Sequence, residues 1–444
     1  MIKISILVIA FFSGLTWMMI LFLGSPGVIT QDEIMHFLIS KYSWHDPTLL
    51  FDLWGRAGST LCYMPLSPFG LMAARLTSVL FACGTVLCAT ALAKRAGMKY
   101  FFLVPFLLWF QPWFNNLSSC VLTEVPFSFF LILSFYFLLT RKNLLASCCF
   151  GFLPLIRYEA IVLLLIWCIY LLINRQWVPT LVSLVPIVLY NLVFYFACSN
   201  TLFSVYLHPH GSWWFSPDPQ RVFYPTGGWT HYLRPLFNRI GGPVFILSIL
   251  SIGRLNKMTG PLIVGSILYL AYFLLHVIGY HFGLYASDGD VLFLLPLAPA
   301  FAIAAAAGLE IIENNVQQLR LFIVVISIVL VIIVGIRFSH FRPLGSEAHH
   351  LKQAAEFLHH KNIPADKITA THVWFYYYFD LPVSSKTIWT NFVDLDHFSS
   401  GHILVWDQRY SDRWGASYHQ LTDPANEWQE LTRINNFVVI FQKK

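Results

Sequence analysis

The sequence predicts an α-helical, polytopic membrane protein that carries a small soluble α/β domain at its C-terminus. Of its 444 residues, 57% are hydrophobic and 11% are charged, whereas a soluble globular chain carries roughly 25% charged residues. The mean hydropathy is +0.64. The net charge of +6 does not indicate nucleic-acid binding, because the basic residues lie mostly in short loops between apolar runs.

Apolar runs predict about eleven transmembrane helices, since a span needs roughly 20 residues and fewer where protein covers the helix ends. The runs lie near residues 4–24, 69–93, 100–114, 120–139, 144–156, 160–173, 178–198, 241–253, 259–280, 290–308 and 321–338. The first run is too long for a usual signal peptide and no A-x-A cleavage site follows it. We therefore interpret it as an uncleaved first span.

Basic residues predict the orientation of these spans. Cytoplasmic loops are enriched in Lys and Arg, and five short loops on one side of the predicted bundle hold Lys94, Arg95, Lys99, Arg141, Lys142, Arg175, Arg254, Lys257 and Arg320. That side and the N-terminus are predicted to be cytoplasmic. The outer side then holds loops 25–68 and 199–240. The protein is predicted to span the cell membrane, the inner membrane in a Gram-negative cell.

Two domains are predicted, a membrane domain over residues 1–342 and a soluble domain over residues 343–444. The second is predicted to be periplasmic or otherwise extracytoplasmic. It contains one helical pattern and three strand-like runs, near residues 346–361, 367–379, 402–407 and 436–442.

An acidic pair, Asp32 and Glu33, follows the first apolar run, and His36 comes one turn later. Charged groups next to a bilayer are costly and therefore mark functional sites. An ionised carboxylate can act as general base on an acceptor hydroxyl. The alternative is a helix N-terminus, where Thr30 or Asp32 caps the helix and the acidic residues favour its dipole.

Glu124, Arg157 and Glu159 lie at the predicted outer ends of apolar runs. A carboxylate at membrane depth needs a partner or a wet cavity. Polar residues that recur at one depth predict a polar cavity that opens outward. The alternative for Arg157 and Glu159 is a local ion pair at a tight turn.

Cations in the outer loops are candidate ligands for phosphate, which a guanidinium binds through paired donors. Arg56 lies in the first outer loop and Arg221 in the second. His281, followed by Asp288 and Asp290, precedes the tenth apolar run, where these residues could shape a phosphate or a metal site. The alternative for the arginines is a place at the membrane interface, with the charged end of the side chain in water. The alternative for His281, Asp288 and Asp290 is a solvated turn.

Several motifs of soluble enzymes do not occur in the sequence. It has no Gly-rich phosphate loop, no Gly-x-Ser-x-Gly elbow and no Cys-x-x-Cys pair, which argues against an NTP-driven enzyme. No metal site is predicted, because the four paired histidines of the tail do not form a compact ligand set; they are His349, His350, His359 and His360.

The order of these motifs resembles the GT-C class of integral membrane glycosyltransferases. The nearest likeness is to the bacterial relatives of protein O-mannosyltransferases and of lipid A aminoarabinose transferases. The motifs that carry the resemblance are Asp32-Glu33, Ala73-Ala74-Arg75-Leu76, Thr123-Glu124-Val125-Pro126 and Arg157-Tyr158-Glu159. They cover roughly residues 1–175, and beyond them the likeness is architectural.

The resemblance implies an inverting glycosyltransferase, which moves a hexosyl or pentosyl group from a polyprenyl-phosphate carrier to an acceptor hydroxyl on the outer face. The acceptor is a lipid, a glycan or a protein. The catalytic base of the family matches Asp32, with Glu33 beside it, and a supporting acidic residue matches Glu124. The arginine of the family's Arg-x-Glu turn matches Arg157.

The remaining candidates for substrate binding are His36, Arg56, Glu159, Arg221 and His281. No cofactor is required by this scheme, and a divalent cation, Mg²⁺ or Mn²⁺, stays open because relatives differ in using one.

The sequence departs from the family pattern before the tenth run. Many relatives carry an Arg-Tyr pair there, whereas residues 285–291 read Tyr-Ala-Ser-Asp-Gly-Asp-Val. Other cations must therefore hold the phosphate. Three other classes stay open: a transporter or flippase of lipid-linked sugars, an O-antigen ligase or polymerase-like protein, and a non-catalytic scaffold. The sequence shows no inverted repeat of the kind that many transporters contain.

Overall fold

The computed structural model describes residues 2–52, 54–196, 226–253, 260–284, 289–315, 320–383, 393, 395–412 and 415–444. The chain folds as two compact units. Unit 1 comprises Met1–Gly24, Arg56–Cys62 and Arg75–Phe341, and unit 2 comprises Ser25–Gly55, Tyr63–Ala74 and Arg342–Lys444. Most of the first outer loop, which the sequence assigned to the membrane domain, therefore belongs to the same unit as the C-terminal segment.

The described residues are predominantly helical. In chain order the helices are α1 (Ile2–Leu23), α2 (Asp32–Tyr42), α3 (Ala57–Tyr63), α4 (Leu71–Arg95), α5 (Val104–Trp109), α6 (Pro112–Leu117), α7 (Glu124–Leu139), α8 (Asn143–Ile156), α9 (Ala160–Ile173), α10 (Trp177–Phe194), α11 (Leu233–Ile240), α12 (Gly242–Leu250), α13 (Gly260–Phe282), α14 (Ala298–Asn315), α15 (Arg320–Phe338), α16 (Ser346–His360), α17 (Val373–Phe379) and α18 (Tyr418–Thr422).

Within the described ranges, six helical segments are long and apolar enough to cross a membrane: Ile2–Leu23, Leu71–Arg95, Trp177–Phe194, Gly260–Phe282, Val291–Glu313 and Leu321–Phe338. A seventh span would need α11 and α12 together, which bend by 107°. Helices α7, α8 and α9 are apolar but have only 16, 14 and 14 residues. The polytopic helical architecture is thus confirmed, whereas the count of eleven spans is not.

The apolar run near 100–114 is a broken element rather than one straight span. A 3₁₀ turn at Phe101–Leu103 leads into α5, and α6 begins at Pro112. Gln111 between them is extended, with φ −72° and ψ 122°, as a residue before proline prefers. Its side-chain amide donates to the carbonyls of Leu107 and Ala298, both at 2.9 Å, which satisfies backbone groups at the break.

The C-terminal segment contains the predicted small sheet. Strands β1 (Ile368–Ala370), β2 (Ile403–Asp407), β3 (Trp428–Ile434) and β4 (Val438–Lys443) form it in the order β1-β2-β4-β3. Strands β1 and β2 are parallel, and the other pairs are antiparallel. Every residue of the inner strand β2 is buried, which explains its continuous apolar run.

The predicted strand over 367–379 is wrong beyond Ala370. Residues Val373–Phe379 form helix α17 instead, although their aromatic side chains favour a strand. His372 favours the helix locally, because its side chain accepts a hydrogen bond from the backbone N–H of Trp374 and so caps the helix. Strand β3 has no counterpart in the prediction, because it is a mostly exposed strand at the sheet edge without a clear apolar alternation.

Candidate functional site

A buried ion cluster in unit 1 is built around Arg157. Its Nε donates to Glu159 Oε1 at 3.0 Å, and its Nη2 donates to the same oxygen at 2.5 Å. Its Nη1 donates to Glu124 Oε1 and, at 3.0 Å, to Thr123 Oγ1. The Arg157 residue is 1% exposed. Four N–H groups of this guanidinium are therefore engaged, out of the five it has.

Helix ends bring these charged residues together. Arg157 directly follows α8 and is extended, with φ −145° and ψ 122°. Glu159 immediately precedes α9, and Glu124 is the first residue of α7. Each carboxylate therefore lies at a helix N-terminus and the cation lies at a helix C-terminus, which is the favourable polarity for all three.

A second guanidinium, that of Arg56, adjoins the cluster. Its Nη1 donates to Thr123 Oγ1 at 3.0 Å, so that hydroxyl oxygen accepts from two arginines. The Arg56 guanidinium also lies 5.8 Å from the ring of Tyr158. Its Nε is buried and has no hydrogen-bond partner among the described residues. Arg56 thus keeps most of its donors available, whereas Arg157 does not.

Aromatic residues and a histidine on α13 complete the cluster. Tyr272 and His276 are four residues apart and so share one face of the helix. Tyr272 donates through its hydroxyl to the carbonyl of Phe293 at 2.7 Å. The Phe293 ring centroid lies 4.7 Å from the Arg157 guanidinium and 5.6 Å from the imidazole of His276.

Sequence reasoning did not select Thr123, Tyr272 or His276 as site residues. A signal for His276 was present, because a histidine inside an apolar run follows the same rule as a carboxylate there. Thr123 and Tyr272 carried no comparable signal. A hydroxyl can be assigned to a site only when the groups that hydrogen-bond to it are known.

Three buried polar atoms of the cluster lack a hydrogen-bond partner within the described part of the chain: Arg56 Nε, Glu159 Oε2 and His276 Nε2. A buried polar atom without a partner costs free energy. The cluster therefore offers one carboxylate acceptor, one imidazole nitrogen whose role depends on its tautomer, and one cationic donor to a polar ligand or to water. This is the property expected of a binding site rather than of a closed structural ion pair.

The predicted acidic pair lies in unit 2, in the first turn of α2. Glu33 is fully buried and Asp32 is half-exposed, while His36 is 6% exposed on the same helix. The residue that caps α2 is Gln31, and its side chain makes no capping hydrogen bond. Capping by Thr30 or Asp32 was therefore the wrong structural alternative, whereas acidic residues in the first turn do favour the helix dipole.

His281 contacts a different part of unit 1. Its Nδ1 lies 2.9 Å from the carbonyl oxygen of Gly227, and its ring centroid is 4.1 Å from that of Trp229. Asp290 accepts from the backbone N–H of Leu292 at 2.9 Å, as a turn residue does. The structure thus does not place His281 among the described contacts of Arg157, and Arg221 and Asp288 lie outside the described residues.

No group of three or more His, Cys, Asp and Glu side chains suited to a metal ion occurs in the described ranges. Glu124 and Glu159 both accept from Arg157, which competes with a metal for their oxygens. We assign no metal ligand.

Comparisons with known proteins bear on the fold. No family model matches the sequence, and no curated protein matches it significantly. The structure of ArnT from Cupriavidus metallidurans bound to undecaprenyl phosphate matches 100% of this chain and 97% of its own, with a TM-score of 0.67 and 13% identity. This chain shares the fold of GT-C glycosyltransferases.

The archaeal oligosaccharyltransferase AglB from Archaeoglobus fulgidus, in complex with an inhibitory peptide and a dolichol-phosphate, matches 90% of this chain and 62% of its own. The TM-score is 0.53 and the identity 13%. The resemblance predicted from motif order is therefore confirmed, and the likeness of fold extends over the whole chain. Identities this low show the fold and assign no activity.

Proposed function

We propose that this protein is an inverting glycosyltransferase that moves a sugar from a polyprenyl-phosphate carrier to an acceptor hydroxyl on the outer face of the membrane. The sugar is a hexose or a pentose, and the acceptor is a lipid, a glycan or a protein. The N-terminus is cytoplasmic and the soluble segment extracytoplasmic in this proposal. The observation that carries it is the buried cluster of Arg56, Arg157, Glu124 and Glu159 in unit 1.

Within this cluster, Arg56 is the residue best suited to bind the phosphate of the carrier. Its single hydrogen bond among described side chains goes to Thr123, so its fork remains free to donate to phosphate oxygens in pairs. Arg157 donates to two carboxylates and one hydroxyl. Its role is to hold these groups in place.

Asp32 is proposed as the general base. The acceptor oxygen attacks the anomeric carbon while its proton passes to the Asp32 carboxylate. The bond from the anomeric carbon to the phosphate oxygen breaks, and its electron pair stays on the phosphate. The leaving group needs positive charge rather than a proton, and Arg56 supplies that charge. Attack opposite to the leaving phosphate inverts the configuration.

A carboxylate is also needed where the anomeric carbon becomes positive in the transition state. Glu33 and Glu124 are the candidates for this role. His36, Glu159, Arg221 and His281 are proposed to contact substrate. The ligands of the compared structures agree with a lipid-phosphate donor, because ArnT was bound to undecaprenyl phosphate and AglB to a dolichol-phosphate.

A transfer assay on purified protein in nanodiscs tests the proposal. A panel of radiolabelled polyprenyl-phosphate sugars and a crude envelope fraction serve as donors and acceptors, and wild type is compared with Asp32→Asn. We expect label to move to acceptor with wild type only. Asp366→Asn is the matched control, because Asp366 is an exposed carboxylate of unit 2 and its loss should leave turnover unchanged.

The outcomes separate the competing classes. Equal transfer by wild type and Asp32→Asn would keep the enzyme and remove Asp32 from the mechanism. If no donor gave transfer, but labelled carrier crossed a sealed vesicle only when the protein was present, the protein would be a flippase and the glycosyltransferase proposal would be wrong.

A further inference from the structure

In unit 2, the short helix α17 lies alongside α2, the helix whose first turn carries Asp32 and Glu33. The residues that flank α17 on either side are His372 and Asp380, and each contacts the corresponding end of α2. The two helices therefore run in the same direction and are joined at both ends. This pairing connects the acidic pair to the C-terminal segment.

The first junction lies at the N-terminal ends of both helices. Gln31, the residue before α2, donates through Nε2 to Glu347 Oε2 at 2.9 Å. The same nitrogen lies 3.3 Å from His372 Nε2. His372 is 1% exposed and caps α17 through the backbone N–H of Trp374. Because Nδ1 of His372 accepts this bond, its Nε2 carries the ring proton, and Nε2 lies 3.6 Å from Glu347 Oε2. The position of Asp32 is thus tied to α17 through Gln31 and Glu347.

The second junction lies at the C-terminal ends. Asp380 Oδ1 accepts from Lys41 Nζ at 2.5 Å and from the hydroxyl of Tyr42 at 2.8 Å. Asp380 has a φ of +56°, a left-handed conformation that Asp tolerates better than most residues do. Between the two junctions, the rings of Phe37 and Tyr377 meet edge to face with centroids 5.8 Å apart.

The sheet of the C-terminal segment holds α17 in turn. The Tyr376 hydroxyl donates to the carbonyl of Ala370, the last residue of β1, at 3.0 Å. Arg409, just beyond the end of β2, donates to both oxygens of Glu347 at 3.1 and 3.0 Å. The carboxyl ends of two parallel strands therefore anchor helix α17, through Tyr376, and Glu347, through Arg409.

We propose that Glu347, His372 and Asp380 are positioning residues, which fix the N-terminal turn of α2 and thereby place Asp32 for proton transfer. This inference rests on the proposed function, in which Asp32 is the base. A general base must lie within hydrogen-bond reach of the proton that it removes. A displacement of roughly 1 Å costs about a hundredfold in rate. A helix of 11 residues is too short to hold such a position by itself.

The test releases α2 from α17 without touching Asp32. Asp380→Gly removes the side chain that Lys41 and Tyr42 contact, and glycine accepts the positive φ at this position. Gln31→Ala removes the other junction, and the double variant Gln31→Ala/Asp380→Gly removes both. Asn362→Gly is the matched control, because Asn362 is exposed and has a φ of +52°.

Two readouts are needed, amide hydrogen exchange of α2 and steady-state transfer kinetics of the full-length protein in nanodiscs. We expect exchange in α2 to be several-fold faster in the double variant. Its kcat should fall by about tenfold or more while the KM for the donor stays unchanged. Asp380→Asn keeps an acceptor for Lys41 and Tyr42 and should retain most of the activity that Asp380→Gly loses. The control Asn362→Gly should behave as wild type.

The outcomes distinguish this inference from the proposed function. Wild-type transfer alone tests the proposed function, and its absence with every donor would refute both. If wild type transfers sugar but the double variant shows unchanged exchange in α2, the junctions do not hold the helix. If exchange rises and kcat does not fall, the junctions do hold α2, but Asp32 does not need this positioning for catalysis. Either result would overturn the inference.

Discussion

Arg56 and Arg157 donate to the same oxygen, the hydroxyl Oγ1 of Thr123, each from Nη1 at a distance of 3.0 Å. Their other partners differ. Arg157 is neutralised by Glu124 and Glu159, whereas Arg56 makes no ion pair within the described part of the chain. Two guanidiniums that share one acceptor should therefore respond differently to substitution.

Arg157→Ala should prevent stable folding rather than change substrate affinity. The substitution leaves Glu124 and Glu159 buried without their cation, and removal of one partner of a buried ion pair costs about 3–5 kcal/mol. We expect a large drop in apparent Tm and in the monodisperse fraction after detergent extraction. Arg95→Ala, at an exposed arginine of α4, is the control and should extract as wild type does. A well-folded Arg157→Ala variant would show that the cluster is not held by this residue.

Arg56→Lys should raise the KM for the lipid-phosphate donor by about tenfold and leave the apparent Tm unchanged. Lysine keeps the positive charge but lacks the planar fork that donates in pairs to phosphate. Steady-state kinetics with donor as the varied substrate measure this effect. An unchanged KM together with an unchanged kcat would remove Arg56 from phosphate binding.

Gly58→Ala should destabilise unit 1 and lower transfer. A Cβ at this position would lie 2.8 Å from the backbone nitrogen of Ile156 and 2.8 Å from the backbone carbon of Leu155, and backbone atoms yield little. Overpacking of this kind costs about 1–3 kcal/mol. Because Ile156 directly precedes Arg157, the shift should also disturb the ion cluster. Thermal unfolding and transfer assays are the measurements.

The control for Gly58→Ala is Gly260→Ala, since a Cβ there meets nothing within 4 Å. Equal apparent Tm values for the two variants would contradict the close approach of α3 to the end of α8.

Glu347 should make the stability of unit 2 depend on pH below neutrality. Its contact with His372, together with the guanidinium of Arg409, holds the pKa of its carboxyl below the ordinary 4.5, against the opposing effect of partial burial. A lowered folded-state pKa adds stability that is complete above about 4.5 and is lost as the pH falls through the folded-state pKa.

Glu347→Gln should therefore lower the apparent Tm at pH 7, and the difference from wild type should shrink as the pH falls below about 4.5. Glu356→Gln is the control on the same helix, because Glu356 is exposed and lies 3.9 Å from Lys352. A difference between wild type and Glu347→Gln that persisted unchanged at low pH would show that the stabilisation does not come from the ionised carboxylate.

The pattern of local signals explains which elements the sequence predicted well. Strand β2 and helix α16 lie close to their predicted bounds, because a buried strand is continuously apolar and an amphipathic helix has a clear period. Helix α17 was predicted as a strand because Val373–Phe379 is rich in residues that favour strands. There the cap from His372 and burial against the rest of unit 2 outweighed local propensity.

The sequence by itself determined that the protein spans a membrane, that it carries a small sheet at its C-terminus, and that Glu124, Arg157 and Glu159 need partners. Composition and hydropathy settle the first two points, and the high cost of a buried charge settles the third.

Only the tertiary structure decided which groups pair. It assigned Glu124 and Glu159 to Arg157, left the donors of Arg56 available, and added His276 from a helix more than a hundred residues later. The physical reason is that hydrogen-bond partners are selected by distance and direction in space. A sequence records which side chains can donate or accept, but not which of them meet.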